Sequence, residues 1–303
     1  MGLAGSLAFV FVAGLVTDLA TGLGALPFFY TDEISDRWNV ALWGLASGIM
    51  VSASLFGLFN EGLAYSTGLP LLLLGGIVAG AALVEVSDRI LDRIDIGGDD
   101  AETDGGHSHD EADGGHNHDD ADGGHSHDEH RLEAEAFAAG DIKKLALILG
   151  ILTIHSFPEG VAVGVSFAEL GLEGGVPILG FSVPVLAVFM TIAISIHNVP
   201  EGTAIAIPMR AMGLSNWRMV GAAVFSSLPQ PVGAVIAFVF VRWAQSFLPF
   251  GFGFAAGAMV YLVATEFVPE ALETGTDLPG GGRRVLVVGF AAGVAVMLPL
   301  LFV

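Results

Sequence analysis

The sequence predicts an all-α polytopic membrane protein of eight transmembrane helices. Three observations carry this: a mean hydropathy of +0.70, 53% hydrophobic residues against 14% charged ones, and a succession of apolar runs each near the roughly 20 residues that a bilayer requires. No water-soluble domain of this size needs such a composition for its core, so a soluble enzyme is excluded. The runs are continuous rather than alternating, which also excludes a sheet barrel.

The spans fall at about 3–29, 39–63, 69–91, 143–167, 177–206, 216–241, 249–272 and 284–303. The first begins without Lys or Arg and exceeds the apolar centre of a secretory signal, so it reads as a retained span. Spans 1–3 (residues 1–94) and 4–8 (residues 142–303) form one membrane domain, interrupted by a polar loop at 95–141. Arg37, Arg89, Arg93, Arg131, Lys143, Lys144, Arg210, Arg218, Arg283 and Arg284 follow odd-numbered spans, and only Arg242 lies on the other side. Basic residues stay on the cytoplasmic side of short loops. Both termini are therefore expected outside and the 95–141 loop in the cytoplasm.

That loop explains the net charge of −21: residues 95–135 hold fifteen Asp/Glu and one Arg. An acidic, lysine-poor polar surface also suits solvation in high salt, as in a halophile. A nine-residue repeat occurs three times, DGGHSHDEA at 104–112, DGGHNHDDA at 113–121 and DGGHSHDEH at 122–130. With almost nothing apolar to bury, the segment is expected to be disordered. It carries His107, His109, His116, His118, His125, His127 and His130. These flexible imidazole and carboxylate ligands suit zinc, nickel, cobalt or copper, for buffering or sensing rather than transport; the plain alternative is a solvated acidic linker.

The chain has no cysteine, which removes thiolate sites, disulfides and thiol catalysis. The two remaining histidines occupy an internal repeat, TIHSFPEGVAVGV at 153–165 and SIHNVPEGTAIAI at 195–207. The segments lie on spans running in opposite directions, which predicts a pseudo-two-fold axis in the membrane plane and a site near the midplane. His155 and Glu159, like His197 and Glu201, are four apart and share a helix face. Together they can enclose a His₂Glu₂ site. Pro158 and Pro200 free the carbonyls of Ile154 and Ile196 and bend both helices, while Gly160 and Gly202 permit close approach of a neighbour. Ionised carboxylates at that depth need compensation, and a divalent cation supplies it. A pair of His–Glu hydrogen bonds locking two helices is the bland alternative.

HSFPEG and HNVPEG resemble the paired HNxPEG-type signatures in spans 4 and 5 of ZIP-family divalent-metal transporters. TGLGALP at 21–27, SASLFGLFNEG at 52–62 and AAGAMVYLVATEFVPEA at 255–271 look like the family's segments in spans 1, 2 and 7. The resemblance implies a carrier moving zinc or a related ion (Fe²⁺, Mn²⁺, Co²⁺ or Cd²⁺) toward the cytoplasm by alternating access, with His155, Glu159, His197 and Glu201 as the primary site and no organic cofactor. It also implies a second, adjoining metal position supplied by the residue after each histidine and by a Glu-Pro acid on span 6. The sequence departs there: Ser156 stands where Asn is usual and Gln230, in SSLPQPVGA, where Glu is expected. Asn198 keeps the usual type. Losing a carboxylate leaves two ions less well compensated, so one tightly held ion is expected.

Asp18, Glu61, Glu266 and Glu270 are further candidates for an ion path, whereas Met50, Met190 and Met259 read as packing. An intramembrane zinc-dependent hydrolase is disfavoured, since H-E-x-x-H is absent and two intramembrane histidines are too few for a three-His site. A metal-sensing membrane protein is the other competitor. The expected partners are divalent metal ions and the lipid bilayer, with a homodimer as the candidate assembly and no nucleic acid.

Overall fold

The computed structural model describes residues 2–66, 68–91, 156–171 and 175–299. His155, the seven loop histidines, the whole of 95–141 and the beginning of the fourth predicted span lie outside the described residues.

The described chain is mostly helical, in eight stretches: α1 (Leu3–Leu23), α2 (Asp36–Ala64), α3 (Leu71–Leu91), α4 (residues 156–166), α5 (Val185–Ala211), α6 (Asn216–Trp243), α7 (Gln245–Thr274) and α8 (Arg283–Met297). Five of them, α1, α2, α5, α6 and α7, are long and apolar enough to cross a membrane. Apolar residues also face outward. On α1, Phe11, Val12, Val16 and Leu19 are exposed, and Tyr30, Trp38, Trp217 and Trp243 stand exposed beside helix ends. Lipid-facing helices with interfacial aromatic residues have this distribution.

Helix boundaries follow local chemistry. Ser35 and Ser215 hold the extended backbone of an N-cap ahead of α2 and α6, and Asp36 adds a carboxylate to the positive end of α2. Before α8 the chain passes through Gly280, Gly281 and Gly282 at φ of 73°, 63° and 65°, a left-handed path that excludes side chains with a Cβ on energetic grounds.

The structure corrects two expected boundaries. The first span stops at Leu23, and Leu26–Phe29 form a 3₁₀ turn with Pro27 near its start. The fifth begins at Val185 rather than 177, because Val176–Ile178 and Phe181–Val183 pair as an antiparallel hairpin with Val176 opposite Val183. Leu179 and Gly180, at φ of 48° and 81°, supply the two left-handed residues of a primed turn. Pro184 then caps α5, and β-branched residues on both sides of the turn favour strands over another helical turn.

Two helices contain wider turns that the apolar pattern does not announce. Ala53–Phe59 in α2 and Val263–Phe267 in α7 are π-helical. Such insertions rotate the following side chains relative to the preceding ones and occur often at functional sites.

Small residues set the packing. The most extensive contacts are α3 with α7 and α8 with α2, followed by α1 with α5 and α6. In a bilayer, close backbone approach replaces the hydrophobic drive between helices. Gly160 lies against the backbone of Gln230 on α6 and Gly202 against that of Thr21 on α1, the close approach expected from the repeat. On the α3–α7 seam a Cβ at Gly257 would lie 2.6 Å from the Ile77 Cα. Gly257→Val is therefore expected to cost about 1–3 kcal/mol through overpacking, measured as resistance to unfolding in detergent. Wild-type stability in that variant would contradict this packing.

Candidate metal centre

Four helices converge on one buried group of polar side chains. α4 contributes Ser156 and Glu159; α5 contributes His197, Asn198 and Glu201; α6 contributes Gln230; α1 contributes the Thr17 carbonyl. Glu159 is 3% exposed, and His197, Asn198 and Gln230 are fully buried.

Glu159 is the hub. Its Oε1 lies 3.0 Å from His197 Nε2, and its Oε2 accepts a hydrogen bond from Gln230 Nε2. The Gln230 Oε1 accepts from Asn198 Nδ2 at 3.0 Å, and the same Nδ2 donates to the Thr17 carbonyl at 2.7 Å. A chain of hydrogen bonds thus runs from α1 through α5 and α6 to the carboxylate on α4. Such a network holds its members in one arrangement, because a buried polar group without a partner is costly.

Glu201 lies one turn beyond His197 on the same face. One ligand atom from each of Glu159, His197 and Glu201 lies within 4.8 Å of the others, close enough for one ion to bridge all three. His197 Nδ1 is buried and has no hydrogen-bond partner among the described residues. Its ring stacks on Phe267 with centroids 5.2 Å apart and planes at 24°, and Phe267 contacts Trp43 at 4.9 Å. The π-helical turn of α7 delivers Phe267 to that position. The result is an apolar wall on one side of the imidazole, which excludes water and strengthens electrostatics at the site.

The remaining sequence candidates take different positions. Ser156 is buried and donates to the Ser226 carbonyl at 3.3 Å, an engagement with the α6 backbone. Asn198 and Gln230 belong to the group as hydrogen-bond partners: one end of the Gln230 amide is committed to Glu159 and the other to Asn198. His155 lies outside the described residues. Asp18 and Glu270 are buried, while Glu61 and Glu266 are partly so; none belongs to the three-residue cluster. Met50, Met190 and Met259 are core residues. The Thr17 carbonyl and Phe267 escape the sequence reading, because the first depends on helix packing and the second on the wide turn.

The family description "ZIP Zinc transporter" matches residues 5–301. An Arabidopsis thaliana protein named as a zinc transporter is 34% identical over 254 residues, covering 84% of this chain and 33% of its own length. The chain thus spans about a third of that plant relative. Zinc transporter GufA of Myxococcus xanthus is 30% identical over 88% of this chain and 89% of its own. Zinc transporter ZIPB of Bordetella bronchiseptica is 32% identical over 92% and 76% respectively. The chain belongs to the ZIP zinc transporter family, a family of multi-pass membrane transporters rather than enzymes.

Proposed function

We propose that this protein moves zinc or a related divalent ion across the cell membrane toward the cytoplasm, with Glu159, His197 and Glu201, joined by His155, forming the primary transport site. The observation that carries this reading is the convergence of three ligand atoms within 4.8 Å in a buried place. Two carboxylates and a neutral imidazole carry a charge of −2, which a divalent cation cancels and which lipid-depth burial otherwise penalises. Mixed nitrogen and oxygen donors suit zinc, and the set also accepts Fe²⁺, Mn²⁺, Co²⁺ and Cd²⁺. The ion is substrate, so no organic cofactor enters.

The eight-span arrangement, both termini outside, the cytoplasmic loop at 95–141 and the two-fold relation of spans 4 and 5 belong to the same reading. The distribution of basic residues and the repeated PEG segments support it. The His-rich loop captures and buffers ions on the receiving side. The three described ligands come from one chain, so a homodimer within the lipid bilayer is not needed to complete them.

One ion is bound at a time. Ser156 and Gln230 bring no charge to the adjoining position, and Gln230 satisfies Glu159 with an amide proton where a second cation would otherwise be needed. Metal analysis of protein lacking residues 95–141 should give one tight equivalent. Two tight equivalents lost together in Glu201→Ala would reject the single-ion reading.

Gln230→Leu removes the donor to Glu159 and the acceptor for Asn198. Without divalent metal it is expected to lose about 1–3 kcal/mol, the penalty for stranding buried polar groups, when unfolding is followed by near-UV circular dichroism. No loss would show that water substitutes for the amide.

Radiometal uptake into vesicles, with competing ions, tests transport itself. His155→Ala combined with His197→Ala should reduce flux by more than about tenfold while the protein still inserts and folds. Uptake at the parent rate would overturn the site, and metal binding without flux in the parent protein would indicate a sensor.

A further inference from the structure

Asp18 is fully buried in α1, yet neither of its carboxylate oxygens has a hydrogen-bond partner among the described residues. The residues one turn away fix its surroundings. A Cβ on Gly14 would lie 2.6 Å from the Pro231 Cα, and one on Gly22 would lie 2.8 Å from Val224. Residues four apart share a helix face. Asp18 therefore faces α6 between Val224 and Pro231, where the helix Asn216–Ser226 stops and the helix Pro229–Trp243 starts.

This break is rich in oxygen and poor in donors. Thr21, on the same side of α1, places Oγ1 2.8 Å from Ser227 Oγ. Pro229 and Pro231 have no N–H, and the Gln230 N–H is committed to the Ser227 carbonyl at 2.9 Å. The start of the second helix therefore lacks the donors that ordinarily satisfy a carboxylate at such a place. Nor does α6 offer a basic partner, since it has no charged residue between Arg218 and Arg242.

We propose that Asp18, with the Thr21 and Ser227 hydroxyls at the break of α6, is a binding site for a monovalent hard cation of the sodium class, separate from the His/Glu centre. Carboxylate and hydroxyl oxygens favour hard ions over zinc. A single carboxylate balances one positive charge, whereas a divalent ion would leave an excess charge buried. The ion would hold α1 against the turn from which Gln230 reaches Glu159, placing monovalent-cation occupancy next to the divalent centre.

The test uses the full-length protein in detergent, at fixed pH and ionic strength, with a chelator of divalent metals present. The chelator keeps the result independent of the transport reading. The thermal midpoint should climb as NaCl replaces choline chloride, by a constant increment per decade of Na⁺ once the site saturates. Asp18→Asn should abolish this rise and Glu201→Gln should retain it. Radioactive ²²Na⁺ should bind the wild-type protein at one equivalent and be displaced by unlabelled Na⁺ but not by choline, which keeps the proposal testable should Asp18→Asn fail to fold. Equal midpoints in sodium and choline, a sodium response that persists in Asp18→Asn, or absence of ²²Na⁺ binding would overturn it. A midpoint that follows pH but ignores sodium would show that the carboxylate holds a proton, and would overturn it equally.

Discussion

A carboxylate far from water must be matched by something, and the arrangement around Glu159 is built on that requirement. Isolated in hydrocarbon, an ionised group of this kind costs several kcal/mol or more. Here one oxygen meets the His197 imidazole and the other the Gln230 amide. Those two partners sit on different helices, so satisfying one charge on α4 fixes α5 and α6 around it. The Asn198 amide extends the same constraint to α1 through the Thr17 carbonyl. The packing of four helices thus answers to one buried acid.

This arrangement also suits a site that must release what it binds. A set of carboxylates with no internal partners would hold a divalent ion tightly and repel itself when empty. Hydrogen bonds from neutral donors lower the energy of the empty state, and those that an arriving ion displaces weaken net binding accordingly, since affinity measures only the difference between the two states. Gln230 stabilises the empty site by satisfying Glu159 Oε2. The imidazole of His197 does so too, and its stacking on Phe267 limits the directions from which an ion or a water can approach.

The sequence shows the chemistry of the centre more clearly than its framework. His197, Glu159 and Glu201 are legible because intramembrane ionisable residues are expensive and because the PEG segment occurs twice. Gly160 and Gly202 are legible for a related reason: small residues beside a functional turn imply close backbone approach, and both meet neighbouring backbone. The hairpin at 176–183 was hidden inside an apolar run that serves strand and helix equally well. The π-helical turns were hidden more completely. They trade local hydrogen-bond geometry for side-chain placement set by distant helices, and neither composition nor periodicity records that trade. The role of Gln230 is half visible: its identity removes a charge, but only the fold shows both ends of its amide engaged.

Asp18 and Glu159 place the same demand on the structure, and the protein meets it by different means. Glu159 is met by two side chains on other helices, the His197 imidazole and the Gln230 amide. Asp18 faces a helix break whose prolines have removed the donors that a helix start ordinarily provides. Two prolines in three residues would be an inefficient way to satisfy a carboxylate with protein atoms, whereas the Thr21 and Ser227 hydroxyls beside a negative charge are well suited to a small cation. If α1 and α6 are joined through such an ion, the contact between them depends on the ionic medium, while on the proposed reading of the His/Glu centre the contact between α4 and α5 would depend on the transported metal. The turn leading from Ser227 to Gln230 belongs to both contacts, and it is the place where the two occupancies can influence each other.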